Sequence, residues 1–488
     1  MTQTAEATRD RRWLALIALC AGMLMNILDQ TIVNVALPSI QADLGFSQAS
    51  LAWVVNAYLI AFGGLLLLAG RLGDLIGRKR VFMAGLAVFT TASLLCGLST
   101  SQEMLIAARF VQGVGGALTS AVILGVIVTM FPAPPERARA IGIYSFVAAT
   151  GGSIGLLAGG TLTAALSWHW IFLVNLPVGI AAALMAARVL EADRGIGLAE
   201  GADAAGALLV TAALMLGVYT IVEVPERGWA SAQTLGGGGL SAALLGAFVW
   251  RQATATNPLL PLRVFRSRTL SGANLVQALM VAGMFGFFFL GTLYLQRVLA
   301  YNPTQIGLAF MPVALAIGAL SLGVSARLTT RFGARAVLLP GLALLVIGLS
   351  LLSRVPVAGG YVADLLPVML LLGFGAGLSF PALTSLAMSA ATPRDSGLVS
   401  GLFNTTAQVG GALGLAALAT LSTARTGRLL AEGESAASAL TGGYQLAFAI
   451  GAGLLAAAIV LAATLLKTPA AAPPSVVASP EEAYSEAA

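Results

Sequence analysis

Asp29 and Arg109 stand where charge is most expensive. Asp29 lies in the apolar run 13–37 and Arg109 in the apolar run 104–131. A charge inside a bilayer-spanning segment is a functional candidate by default, because desolvating it is costly. A carboxylate there can bind and release a proton. A guanidinium nearby keeps it ionised until a proton or a cation changes the balance. The same two residues are also the ingredients of a static ion pair that pins two helices. The sequence leaves both roles open.

Asp74 lies in a loop that reads GRLGDLIGRKR at 70–80. Gly70, Gly73 and Gly77 permit tight turns and close approach, and Arg78, Lys79 and Arg80 make the loop basic. Topology alone explains basic loops, but it does not need Asp74. Gly151, Gly155 and Gly159 recur every four residues, with Gly160 beside them, so the first three share one helix face. Such a face lets another helix come close, as a fixed seam or as a sliding surface. Asn34, Gln112, Asn404 and Gln408 are amides within apolar runs, where they glue helices or line a cavity. Asn404 and Gln408 are four apart and share a face. Tyr144 adds aromatic surface for a lipophilic or cationic ligand.

No catalytic constellation accompanies these residues. There is no Walker loop, so ATP does not drive the protein directly. His169 is the single histidine, between Trp168 and Trp170, and no serine has it as a partner. Cys20 and Cys96 sit inside apolar runs without metal-ligand spacing. An enzyme is therefore not expected, nor a cofactor or a metal. Energy is expected from an ion gradient or from the substrate itself.

The elements that hold these residues follow from composition. The 488 residues are 58% hydrophobic and only 9% charged, and the mean hydropathy is +0.91. A soluble domain carries about 25% charged residues, so this chain uses lipid as its solvent. Spanning a bilayer takes roughly 20 apolar residues per helix. Fourteen runs qualify: 13–37, 51–69, 81–99, 104–131, 140–165, 169–187, 204–224, 233–250, 269–296, 304–326, 336–352, 361–389, 396–424 and 442–466. The first is not a signal peptide, being too long and lacking a small-residue cleavage site. With the N-terminus in the cytoplasm, twenty of the 26 Lys and Arg fall inside, five outside, and Arg109 within a span. That asymmetry is the positive-inside rule. It accounts for the +6 net charge without nucleic acid, which is excluded as a partner.

The expected organisation is a cytoplasmic segment 1–12, six helices over 13–188, a linker with two further helices over 189–268, six helices over 269–467, and a disordered tail 468–488. The loops at 70–82 and 323–337 occupy the same place in each six-helix half and are both rich in glycine and arginine. Internal repeats with the substrate near the bilayer midplane are a transporter signature.

Six segments carry a family resemblance: LDQTIVNVALPSI at 28–40, GRLGDLIGRKR at 70–80, LIAARFVQGVGGA at 105–117, WHWIFLVNLPVGI at 168–180, LYLQRVLAYNPTQIGLAFMP at 293–312 and GLVSGLFNTTAQVGGALG at 397–414. In order and at these helices, they resemble the major facilitator superfamily, in its fourteen-helix drug:proton antiporter branch. Leu156 stands where that branch has proline in the fifth helix, and His169 where it usually has arginine. The resemblance implies an all-α integral membrane fold of two pseudo-symmetric six-helix halves that rock to alternate access. It implies export of a small hydrophobic or cationic drug, or of a natural product, in exchange for protons. It implies that Asp29 and Arg109 face one polar pocket in the outer half and couple proton to substrate. It also implies that Asp74, with Arg78, latches the halves when the cavity opens outward. A monomer in a bacterial-type plasma membrane with both termini cytoplasmic is expected. Leu156 removes a kink site and keeps a rival alive, a proton-coupled carrier of one metabolite or lipid. A rival of another class is a membrane scaffold or sensor without transport.

Overall fold

The structure is a computed structural model. It describes residues 2–46, 51, 53–193, 195, 197, 203–256, 258, 260–301, 303–389, 391 and 395–466. The tail 468–488, Arg394 and Lys467 lie outside the described residues, and so do the side chains of Asn34 and Leu156.

Each apolar run is helical, because lipid offers no partner for backbone N–H and C=O groups and a helix satisfies them internally. In chain order the helices are α1 (Thr2–Leu44), α2 (Trp53–Ile76), α3 (Arg78–Gly97), α4 (Gln102–Met130), α5 (Pro134–Ala165), α6 (Trp170–Val189), α7 (Ala204–Arg227) and α8 (Ala232–Thr254). They continue with α9 (Arg268–Arg297), α10 (Pro303–Ala319), α11 (Ala334–Leu352), α12 (Tyr361–Ser389), α13 (Ser396–Ala431) and α14 (Ala436–Leu465). A π turn at Leu320–Val324 carries α10 on into Ser325–Phe332. Side chains cap several starts: Ser101, Asp203, Ser231, Ser267 and Ser435 each accept one otherwise unpaired amide N–H of the first turn. The first helix extends well beyond the apolar run, through the segment expected to precede it.

Among the described residues, eleven helices are long and apolar enough to cross a membrane, or twelve when the two arms of α5 count as one. The apolar stretches Ala205–Ile221 of α7 and Gln305–Ala319 of α10 are shorter. Those two account for the difference from the fourteen spans read in the sequence. The π turn shortens α10 by dividing it. α5 bends by 45° between Pro134–Gly152 and Leu157–Ala165. The absence of proline at 156 was expected to remove this kink. The adjacent Gly151–Gly152 pair supplies the weak point instead, since paired small residues also let a helix bend.

Packing repeats along the chain. α1 packs on α5 and α6, α3 on α4 and α6, and α2 on α4. Eight helices later, α9 packs on α13 and α14, α11 on α12 and α14, and α10 on α12. The groups meet where α13 touches α2 and α4, and where α5 touches α10 and α12. α7 and α8 pack on each other, and α7 lies on both α2 and α13. The loop repeat is also visible in the backbone. Gly77 at φ 104° and Gly333 at φ 86° each end one helix and open the next. Only glycine adopts that conformation without strain.

Candidate functional site

Five helices converge on one buried node. Asp29 on α1 is 0% exposed and Arg109 on α4 is 1% exposed. Arg109 Nη1 pairs with Asp29 Oδ2 and donates to Gln112 Oε1 at 2.6 Å. Its Nε donates to the Val54 carbonyl of α2 at 2.8 Å. Gln112 Nε2 donates to Asp29 Oδ1 at 2.7 Å and to Ser93 Oγ of α3 at 2.8 Å. Asn175 Nδ2 of α6 donates to Asp29 Oδ1 at 3.2 Å. The Tyr58 ring of α2 lies 4.5 Å from the guanidinium carbon, and Phe172 of α6 lies 5.7 Å away.

Every contact has a reason in the local sequence. Arg109 and Gln112 are three apart on α4 and share a face. Gly113 lets α4 approach the Tyr58 carbonyl of α2 closely. A lone buried carboxylate would neutralise itself. Here one negative and one positive charge meet, and both carboxylate oxygens accept hydrogen bonds. The unit is electrically neutral in the ionised state. Protonating Asp29 removes its attraction for Arg109 and changes what holds α1 to α4.

A second node links the two repeats. Asp74, expected in a loop, lies with Gly70 and Gly73 on the last turns of α2, which runs helical to Ile76, and it pairs with Arg78 at 2.9 Å. Its Oδ1 also accepts the Gly397 amide at 3.0 Å, and its Oδ2 accepts the Leu398 amide at 2.7 Å. These are unpaired amides in the first turn of α13. An anion there meets the positive end of the helix dipole. Gly70 permits the approach, since a Cβ on it would meet the Gly397 carbonyl at 2.6 Å. Gly73 packs on Val122 of α4. Asp193, beyond α6, accepts the Arg78 and Lys79 amides at 2.9 and 3.3 Å. Lys79 Nζ donates to the Ala187 carbonyl at 2.9 Å.

The remaining candidates are placed as follows. Gly151, Gly155 and Gly159 form a seam against α1, where a Cβ on Gly155 or Gly159 would meet the Leu28 or Ile32 carbonyl at 3.0 or 2.7 Å. They are not at the junction with α10, which α5 makes through Gly142, Phe146 and Leu157. Gly160 is half-buried beside the seam. Tyr144 is buried in the apolar core rather than lining open space. Asn404 and Gln408 are half-buried on α13, and Asn404 Nδ2 donates to the Ser400 carbonyl at 3.0 Å. Gln112 belongs to the Asp29 node. Asn34 lies on α1 with its side chain outside the described residues. Among the described residues, no three His, Cys, Asp or Glu side chains converge as metal ligands would.

Sequence reasoning missed Ser93, Asn175 and Asp193. Asn175 lies within a segment that carries the family resemblance, and an amide two residues before a proline in an apolar run was the available signal. Ser93 and the two α13 amides leave no such mark.

The sequence matches the Major Facilitator Superfamily profile over residues 19–415. The chain belongs to this superfamily. It is an integral membrane transporter of small molecules, not an enzyme. It is 40% identical to the puromycin resistance protein pur8 of Streptomyces alboniger, over 93% of this chain and 92% of that protein. It is 41% identical to the cephamycin export protein CmcT of Amycolatopsis lactamdurans, over 83% of this chain and 84% of that protein. In fold it is similar to the human organic anion transporter MFSD10 (TETRAN), at 17% identity and a TM-score of 0.65, over 92% of this chain and 99% of that one.

Proposed function

We propose that this superfamily member exports a hydrophobic or cationic small molecule, in the class of natural-product antibiotics, in exchange for protons. The observation that carries the reading is the Asp29–Arg109 node. It is fully buried, neutral when ionised, and confined to α1–α6, while a separate and breakable anion–helix contact joins α2 to α13. Proton binding at Asp29 releases Arg109 and loosens α1 from α4. The halves then rock, and the Asp74 contact breaks and re-forms once per cycle. Similarity to resistance and export proteins supports the direction and the antibiotic class.

The layout we propose is fourteen spans, with six helices, an inserted pair and six more. The repeated pairing of α1–α6 in α9–α14 supports it, and α7 and α8 stand outside both sets. The basic loops put both termini and the Asp74 end in the cytoplasm of a bacterial-type cell. The conformation is then closed to the cytoplasm. The protein works as a monomer. The bend of α5 without proline at 156 is compatible with export by the same rocking motion.

Efflux of puromycin and of lipophilic cationic dyes from cells expressing the chain tests this reading. Efflux should stop with a protonophore and in Asp29→Asn. A wild type that exports none of a broad panel would turn the reading towards a dedicated carrier or a scaffold.

A further inference from the structure

The inserted pair α7–α8 lies across the seam at which the cytoplasmic end closes. One apolar cluster buries Leu67 of α2, Val210 of α7, Phe248 of α8, Leu260 of the following linker and Leu398 of α13. Leu398 is also a residue whose amide Asp74 accepts. The side chain is held by the inserted pair while the backbone is held by the latch. The linker adds a second hold, since Arg263 lies 3.7 Å from Asp395 at the start of α13.

The base of the pair is tied. Asp203, at the start of α7, accepts from Gly206, Arg251 and Gln252. Gln252 Oε1 in turn accepts the Leu260 amide at 2.9 Å, which fixes the linker to the end of α8. On α2 the fit is close. Gly63 and Gly64 leave room for Val218 and Met215 of α7, and Trp53 stacks on Tyr219 with ring centroids 5.8 Å apart. On α13 away from the latch, Trp229 Nε1 donates to Thr420 Oγ1 at 3.1 Å. The α7–α2 face is therefore a glycine-fitted interface along the helix. Among the described residues, α7 meets α13 through this apolar cluster near the latch, and Trp229, just past α7, adds an exposed hydrogen bond at the other end.

We propose that α7–α8 is a strap that travels with α2 and releases α13 when the cytoplasmic end opens, with Val210, Phe248, Leu260 and Leu398 as positioning residues for the Asp74 contact. The inference rests on alternating access as proposed above. Apolar surface buried at a seam that must part sets how often it parts. The strap thus biases the resting state towards cytoplasmic closure without touching substrate or proton.

Two bridges and one distance test it. Arg80→Cys and Arg331→Cys, both exposed and on opposite halves, carry spin labels in lipid nanodiscs. Phe248→Ala should raise the long-distance, open population roughly tenfold or more, since a lost buried aromatic is worth more than one decade in an equilibrium. In unlabelled proteoliposomes, Val210→Cys and Leu398→Cys joined through two disulfides by a short bis-methanethiosulfonate should stop transport, and reductant should restore it. Trp53→Cys and Tyr219→Cys joined in the same way should leave transport as in the unbridged double variant. An unchanged distance distribution in Phe248→Ala overturns the strap, and so does loss of transport on bridging Trp53→Cys to Tyr219→Cys. If the unbridged protein transports nothing but the distances respond as stated, the strap stands and the transport reading fails.

Discussion

The two acidic nodes of this chain differ in what surrounds them. Asp29 is enclosed by five helices of one repeat, and all its partners are side chains. Asp74 faces the opposite repeat, and its partners across the seam are backbone amides. A side-chain node within one rigid bundle suits a group whose charge changes, because its neighbours stay in place as it does so. Backbone amides at a helix start suit a contact that opens and re-forms, because they present the same dipole on each return. Burial alone does not separate a proton site from a gate, and we propose the two roles from the location of the partners.

The sharpest way to break this comparison is to remove one charge from the Asp29–Arg109 node. Arg109→Ala leaves Asp29 buried without its counter-charge and should destabilise the protein by about 3–5 kcal/mol. Asp29→Asn with Arg109 kept should fold and reach the membrane at near wild-type levels, yet lose proton-driven efflux. A thermal-stability assay on both purified variants checks the first statement. Equal stability would mean that the pair contributes nothing to the bundle.

The Asp74 node should respond differently. Asp74→Ala removes two hydrogen bonds donated by backbone amides to an ionised acceptor, each about 1.5–3 kcal/mol. Turnover should fall by about tenfold or more, while the pH dependence of the residual activity stays that of wild type. A shifted pH profile would assign Asp74 a share of proton coupling and erase the distinction. Gly70→Val attacks the same contact by sterics, because a Cβ there meets the Gly397 carbonyl at 2.6 Å. Overpacking of this kind costs about 1–3 kcal/mol. It should shift the resting population away from cytoplasmic closure, read as increased thiol labelling of a cysteine placed at Ser396.

The smallest effect concerns a third acid, Asp203, outside the spanning segments. Burial opposes its ionisation, but the Gly206 amide, Arg251 and Gln252 outweigh it and hold the carboxyl below the usual carboxylate range. A lowered folded-state value means that its contribution is present above the unfolded value of about 3.9 and is lost as pH falls through the folded one. Stability of the α7–α8 base should therefore be flat from neutral pH to about pH 4. Asp203→Asn should lower thermal stability slightly at pH 7, and the difference from wild type should vanish only under more acidic conditions. A difference already gone at pH 6 would contradict this assignment.

Much of this was legible in the sequence. Lipid as solvent leaves only helices, so the apolar runs mark where the helices lie. Charges inside those runs marked Asp29 and Arg109, and Asp74 stood out as an acid in a basic loop. What stayed hidden depends on partners far apart in the chain. No pattern near Leu398 indicates that its amide meets Asp74. The proline missing at 156 predicted a straighter α5, but adjacent glycines bend a helix as well. The glycine stripe fits a seam and a sliding face equally in sequence, and nothing in the sequence shows that its partner is α1. The role of α7 and α8 was illegible for the same reason, since Val210, Phe248 and Leu398 lie in separate apolar runs.

The most direct test of the central claim is proton release from purified protein on substrate binding, in weakly buffered solution with a pH-sensitive dye. Saturating cationic substrate should release protons from wild type at acidic pH, and from Asp74→Ala as well. Asp29→Asn should bind substrate and release none. Release from Asp29→Asn equal to that of wild type would contradict the account, because the proton would then reside elsewhere in the chain.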